Sequence, residues 1–590
     1  MCGIAGVIGE AGEGQMQAQA QTMIRTLAHR GPDGIRGETL MGRGQASDRP
    51  LAALAHARLS IIDLEGGWQP LHAAGCTVIG NGEIYNYREL IEQFGLKGEL
   101  TTGSDFEPLL HIYAREGERA FDRLRGMYAF CLIGPDGRVW LVRDPFGIKP
   151  LYYRQQGGKL AFASEPRALV LGGKVEIDLE PLEDMLALNY APGRNTPFKT
   201  VRQLKPGEVA EVVYGRLAPR RVRPPIPSPL PGARPPRGEA EALEQLDKVL
   251  EDTVTVHQRA DVPYGLFLSG GIDSAAIATM MSRLNARPVT AFTCGFTAPG
   301  GHAPVRDERG QAEKVARALN LDWREVSFGE DDFWRLLPEV AWALDQPTAD
   351  YAVLPTYKLA EAAKGVLKVV LTGEGGDELF AGYGRYRRAL RSPLLGGRPA
   401  GPRADTPFLR DHGAAAVARW RMATEPPPGL DRLQEIQHRD IAGWLPADLL
   451  LKLDRCLMAH GLEGRTPFLD PEMARFAFRL PENLKLHGRL GKWLLRRWLQ
   501  RHCPSADPFA RKAGFTTPVA SWIAPRAALI GPRVAEVEGV RKLCDADQVR
   551  AVFRDPKSAA HRWPLLFLAV WWGIHAERME PAAALARLTD

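Results

Sequence analysis

The sequence predicts an α/β fold in two parts: a sheet-rich first part, then a second part built on a parallel sheet with helical additions. Short apolar or alternating runs bounded by turn residues fill the first part. Residues 219–236 read PRRVRPPIPSPLPGARPP, a stretch too poor in backbone donors for regular structure. Beyond it, apolar runs alternate with segments of helical spacing, the pattern of a parallel sheet with crossover helices. The expected division is 2–215 for the first domain, 216–238 for the linker and 239–590 for the second domain.

In order, CGIAGVIG (2–9), ALAHARLSIID (53–63), TVIGNGEIYN (77–86), AFCLIG (129–134), VWLVRDPFG (139–147) and LAFASE (160–165) read as strands. Helical spacing marks 15–28, 86–94 and 105–116. After the linker, 241–260 is helical, and YGLFLSGGIDSAAIATMMSRL (264–284) is a strand, a Gly turn and a helix. PVTAFTCGF (288–296) and VLKVVLTGEGG (366–376) supply further strands, separated by helices at 311–320 and 354–364. From about 385 the chain is mostly helical and ends in the tryptophan-rich WPLLFLAVWWGIHAE, with a surface loop expected at 391–406.

Bulk properties exclude several functions. The 76 basic and 70 acidic side chains leave a net charge of only +6. With no Lys/Arg run, nucleic-acid binding has no support. Seven scattered cysteines without a CxxC pair argue against a disulfide framework and against structural zinc. The first basic residue is Arg25 and no 18-residue apolar stretch occurs, so a cytoplasmic protein without signal peptide or membrane span is expected.

Cys2 follows the initiator methionine. Once Met1 is removed, its free α-amine, with a pKa of about 7.7–8.0, can act as base for its own thiol. Alone, a cysteine near a terminus is simply a small apolar residue. Its company changes the reading: HRGPDG (29–34), RLSIID (58–63), NGEIYN (81–86), TGSD (102–105) and RDPFGIKPLYY (143–153) follow in order. Together these resemble the class II glutamine amidotransferases, whose N-terminal cysteine hydrolyses glutamine. The Asn81 side chain and the Gly82 N–H can then form an oxyanion hole. Arg58 can hold the substrate α-carboxylate and Asp105 its α-ammonium. The resemblance adds Leu59, Ser60, Ile61, Ile62 and Glu83 to the glutamine pocket.

In the second half, SGGIDS (269–274) sits between a strand and a helix, where backbone N–H groups attract phosphate. Ser269, Gly270, Gly271 and Ser274 would cradle pyrophosphate. TGEGGDELFAGY (372–383) sets Glu374 and Asp377 on a compact turn after another apolar run. Carboxylates beside a phosphate loop call for a cation, so Asp273 and Asp377 are candidate Mg2+ ligands. Glu374 is the candidate for handling the proton of attacking ammonia.

SGGIDS resembles the loop of ATP-pyrophosphatase enzymes, and the whole chain resembles the glutamine-hydrolysing asparagine synthetases, as do DRCLMAHGLEGRTPFLD (454–470), GKWLLRR (491–497) and RKAGFTTP (511–518). The resemblance implies an N-terminal nucleophile hydrolase αββα sandwich followed by a Rossmann-like ATP-pyrophosphatase domain. It places Leu268 and Cys294 beside adenosine, Thr372, Gly373 and Lys492 in the ATP site, and Lys512 and Gly514 near its mouth. Glutamine, ATP and aspartate are the implied substrates, with no nucleic-acid or membrane partner and a homodimer left open. Another carboxylate acceptor is the runner-up. A non-catalytic sensor keeping the fold is disfavoured, because nucleophile, oxyanion donors and phosphate loop survive together.

Overall fold

The computed structural model describes residues 2–9, 12–42, 50–172, 175–226, 234–297, 308–392, 394, 397–398, 401–510 and 517–590. Lys512, Gly514 and part of the expected 391–406 loop lie outside the described residues.

Among the described residues, twelve strands build the first half: β1 (Gly3–Gly9), β2 (Gly34–Met41), β3 (Pro50–Arg58), β4 (Leu71–Ala73), β5 (Cys76–Ile84), β6 (Gly126–Ile133), β7 (Val139–Arg143), β8 (Tyr152–Gln156), β9 (Lys159–Ala163), β10 (Val201–Gln203), β11 (Glu208–Val213) and β12 (Arg216–Val222). They form two six-stranded sheets, ordered β10-β8-β9-β1-β3-β2 and β12-β11-β7-β6-β5-β4. Side-chain alternation explains the layering. On β1 and β3, Ile4, Ile8, Ala52 and Leu54 point inward to Ile79, Ala129 and Leu141 of the facing sheet. The alternate Ala5, Val7, Ala53, Ala55 and Ala57 point outward to the helix Glu13–Arg25, whose Met16, Ala20 and Met23 cover them. Small alanines let that helix lie close. The helix Glu107–Glu116 covers the other sheet through Leu109, Leu110 and Ile112. The result is an αββα sandwich.

One segment departs from expectation. Arg216–Val222 is not extended linker but the edge strand β12, paired with β11. Its register shifts where Ala210 faces Pro219 and Val209 faces Arg221, so Arg220 is bulged out. Proline is tolerated at an edge bulge because no ladder donor is needed there.

The second half carries a parallel sheet of β13 (Tyr264–Phe267), β14 (Thr290–Phe296), β15 (Asp322–Phe328), β16 (Val369–Leu371) and β17 (Glu463–Arg465), in the order β15-β14-β13-β16-β17. The helices Glu239–His257 and Ile272–Leu284 pack on it through Leu246, Leu250, Ala276 and Met280. The late helix Arg562–His575, apolar at every position between its basic ends, is buried along its whole length, as a helix apolar all round must be. Trp571 lies 6.1 Å from Phe198 of the first half, ring to ring, so one apolar core runs through both parts.

The two halves also share a buried ion network. Arg30 of the first half donates to Asp454 of the second at 2.8 and 3.0 Å and to Glu165 at 2.9 Å. Arg455 reaches Asp345 at 3.2 Å and Glu165 at 3.6 Å, and Lys149 lies 3.9 Å from Asp454. Removing one member strands the others without countercharge, at a cost of about 3–5 kcal/mol. Asp454→Ala is therefore expected to lower the thermal midpoint by several degrees, measured by calorimetry, whereas removing an exposed pair such as Arg317–Glu313 leaves it within about a degree.

Candidate active sites

Cys2 lies at the start of β1, buried, and the β1–β3 register sets Gly3 opposite Ala57, so Arg58 is the next residue along the partner strand. The Cys2 N–H donates to Asn81 Oδ1 at 3.0 Å, and Arg30 Nε donates to the Cys2 carbonyl at 3.3 Å. The thiol contacts the Leu59 carbonyl at 3.9 Å. Burial pushes the thiol's pKa up, with the Leu59 contact opposing it. Such a thiol needs a base beside it to become a nucleophile.

Asn81 is fixed on β5, and its Nδ2 is buried without a hydrogen-bond partner. A buried unpaired donor costs about 1–3 kcal/mol, so its retention beside the nucleophile fits a donor reserved for substrate oxygen. Gly82 follows with φ 141°, and a Cβ there would meet the Met127 carbonyl oxygen at 2.0 Å. No other residue fits that strand position.

Arg58, 2% exposed, donates to the Asp63 and Leu64 carbonyls at 2.5 and 3.2 Å and lies 4.8 Å from the Trp68 ring. Asp105 accepts from the Ile84 N–H at 2.7 Å. Burial raises Asp105 to about 7, aided by Glu463 and opposed by the Ile84 bond. Glu83 is also raised by burial and by Asp105, and its nearest cation is Arg465 at 3.7 Å. Leu59 and Ile61 are buried and pack, with partly buried Ile62, against the core of the second half. The Ser60 N–H donates to Asp33 at 2.7 Å. Thus the structure gathers Cys2, Arg58, Asn81, Gly82, Glu83 and Asp105 around one end of the sandwich.

The residues expected to bind nucleotide converge at the C-terminal ends of β13, β14 and β16. Ser269 Oγ bonds Ser274 Oγ at 2.9 Å and accepts from the Gly271 N–H at 3.1 Å, closing the turn at the start of the helix Ile272–Leu284. Leu268 is tied to β14 through Phe292, and Cys294 is buried on the same strand. The Thr372 N–H donates to the Arg465 carbonyl at 2.9 Å, and a Cβ on Gly373 would stand 3.0 Å from that of Asp273. A Cβ on Gly376 would meet Asp273 Oδ1 at 2.5 Å, so the two turns touch only because Gly stands there. The Lys492 ammonium sits between Asp273 and Asp377, 2.7 Å from the latter. Two carboxylates already sharing one cation suit Mg2+, which takes one or two carboxylates plus substrate phosphates. Among the described residues no group of three or more His, Cys, Asp or Glu is arranged as a metal cage.

Glu374 is half-buried after β16 and bears on the buried Lys452. Burial works against that ammonium, but Asp350, Asp448 and Glu374 outweigh it. Arg465 and Asp470 do not pair: Arg465 bonds Glu463 at 2.5 Å, and Asp470 accepts from Arg125 at 2.8 Å. Sequence reasoning passed over Arg30 and Asp454, although both stand inside quoted motifs, and Lys368, whose only signal was a lone cation opening the run VVL.

The Asparagine synthase family model matches residues 245–573, and the Glutamine amidotransferase domain model matches 1–221. Asparagine synthetase [glutamine-hydrolyzing] 1 of Bacillus subtilis is 30% identical, covering 98% of this chain and 97% of its own. Asparagine synthetase B [glutamine-hydrolyzing] of Escherichia coli is 27% identical over 89% and 83%. Amidase chry2 of Gibberella zeae is 27% identical over 89% of each. No helix among the described residues is long and apolar enough to cross a membrane.

The role expected of Asp105, accepting a substrate ammonium, requires its ionised form, so the KM for glutamine should fall as pH rises through about 7. Initial-rate glutaminase assays from pH 6 to 8 check the sign. Gly82→Ala keeps the N–H, but its Cβ cannot pass the Met127 carbonyl oxygen, so the displaced donor should lower glutaminase kcat by at least ~100-fold in the same assay.

Proposed function

The chain belongs to the asparagine synthase family, with a glutamine amidotransferase domain ahead of the synthase domain, and from that premise we propose that it makes L-asparagine from L-aspartate, glutamine and ATP. Amide synthesis of the asparagine synthase type with glutamine as nitrogen donor follows from the family; acceptor and steps are our reading. The observation that supports the first half-reaction best is Asn81, which fixes the Cys2 backbone with one end of its amide and keeps the other unpartnered.

With Met1 removed, the Cys2 α-amine takes the thiol proton, and the thiolate attacks the glutamine side-chain amide. Asn81 Nδ2 and the Gly82 N–H receive the developing oxyanion, Arg58 the α-carboxylate and Asp105 the α-ammonium. Collapse releases ammonia and leaves a thioester on Cys2, which water cleaves to glutamate. In the second half the acceptor carboxylate attacks the α-phosphorus of ATP, giving an acyl-adenylate and pyrophosphate. The backbone of Ser269–Ser274 holds the leaving phosphates, Lys492 balances their charge, and Leu268, Cys294, Thr372 and Gly373 line the nucleotide. Asp273 and Asp377 would hold Mg2+, which supplies countercharge to the phosphates when bound. Ammonia attacks the acyl carbon, Glu374 takes its proton, and amide and AMP leave. Free ammonia at neutral pH is mostly protonated, so passage through the interior between sites preserves the nucleophile.

A second acceptor class is favoured by one observation: the full-length likeness to amidase chry2. An acceptor screen with glutamine and Mg-ATP, scored for AMP and new amide by mass spectrometry, tests the reading. Asparagine formed with one AMP per amide is expected; glutamate release with aspartate untouched would move the reading to another carboxylate. Cys2→Ala should abolish glutamine-dependent synthesis, by at least ~1000-fold, yet retain synthesis from added ammonium.

A further inference from the structure

The glutamine-binding loop of the first half is held by the second. Arg58 is the residue placed on the substrate α-carboxylate, and its guanidinium is oriented by the Asp63 and Leu64 carbonyls. Asp63 is a hub. It adopts φ 53°, in the left-handed region, and its carboxylate accepts from the Gly66 N–H at 2.9 Å and the Gly103 N–H at 2.8 Å. The second bond ties it to the 102–105 loop that carries Asp105. One residue therefore sets the placement of both groups assigned to the two ends of the glutamine backbone. Asp tolerates the left-handed region better than most residues, and here its bonds hold it there.

Further bonds to this loop come from the synthetase half. The Asp63 N–H donates to Asp261 Oδ2 at 2.9 Å, while the Asp261 N–H donates back to the Ile61 carbonyl at 2.9 Å. On the near side of the loop, Lys368 Nζ donates to Asp33 Oδ2 at 2.8 Å and to the Ser60 carbonyl at 3.5 Å. Asp33 accepts in turn from the Ser60 N–H, and its own N–H donates to the Arg58 carbonyl at 3.0 Å. Residues 58 to 63 are thus gripped at both ends by side chains more than 190 positions away in sequence. Asp261 and Lys368 sit just before the neighbouring strands β13 and β16, and the Lys368 N–H donates to the Pro263 carbonyl, so the two grips share the N-terminal end of the sheet.

We propose that Asp261 and Lys368 are positioning residues of the glutamine site, supplied by the synthetase half to fix Arg58 and the Asp105 loop. The inference rests on the assignment of Arg58 and Asp105 to glutamine under the proposed function. Neither residue touches the reacting atoms. Both pairs are partly exposed, so their value lies in geometry rather than in stability, since exposed ion pairs contribute little to folding. A misplaced substrate clamp, by contrast, loses binding steeply with displacement.

The test uses the full-length enzyme. Asp261→Ala, Lys368→Met and Lys368→Arg are assayed for glutaminase kcat and KM, for AMP formation driven by added ammonium, and for thermal midpoint. The expected result is a rise in KM for glutamine of about 5- to 20-fold in the first two variants, with glutaminase kcat within about twofold. Ammonium-driven AMP formation and melting stay unchanged, and Lys368→Arg recovers most of the glutamine affinity. An unchanged KM overturns the proposal. So does an equal loss of ammonium-driven activity, which would mark general damage. A wild-type enzyme that releases no glutamate from glutamine, or whose Arg58→Ala form keeps full glutamine affinity, would instead sink the underlying site assignment.

Discussion

Arg30 is the constraint around which the two halves are arranged. Its guanidinium is fully buried, and it holds the Cys2 carbonyl, Glu165 of the first half and Asp454 of the second. A charge in that position is tolerable only with all its partners, because desolvation there costs several kcal/mol per ion. The Cys2 backbone, the end of β9 and the helix Leu450–Met458 are therefore located by one side chain. Glu165 illustrates how dense the network is: burial works against its charge, but Arg167, His29 and Arg455 hold its carboxyl well below the usual range.

From that helix the network reaches the other chemistry. Asp454 and Arg455 face the sandwich, while Lys452, less than one turn away, bonds Asp350 at 2.7 Å and feels Glu374. Thr348 donates to Asp448 across the same segment, and Asp448 is pushed up to about 8 by burial and by Asp350. One helix thus carries both the residues that meet Arg30 and the lysine that feels Glu374. The parallel sheet has its N-terminal strand ends turned to the sandwich and its C-terminal ends bearing the turns proposed to hold phosphate. Phosphate turns belong at C-terminal strand ends because the next helix starts there and offers unpaired N–H groups.

How much of this was legible depended on the range of the interactions. Strands with a strong period, such as CGIAGVIG and TVIGNGEI, and the turns SGGIDS and GEGGDE fall where the sequence puts them, since local pattern and turn chemistry determine them. β12 was hidden because proline content outweighed the alternation of an edge strand. β2, with little burial on either face, carries hardly any apolar signal. Glutamine-site candidates were readable as a cluster of motifs. Arg30, Asp63 and Lys368 were not, because their meaning comes from partners as far as 424 residues away, and no spacing rule encodes such a pair.

The Arg30–Asp454 contact has an evolutionary consequence. The two domains look like separable modules, each matched by its own family model. Yet their boundary runs through a buried charge cluster rather than over a neutral surface. A recombination event joining the first half of one relative to the second half of another must carry matching members of that cluster, or it leaves an isolated charge in the interior. Compatibility across the fusion point, rather than the activity of either half alone, then decides whether such a joined chain keeps its fold.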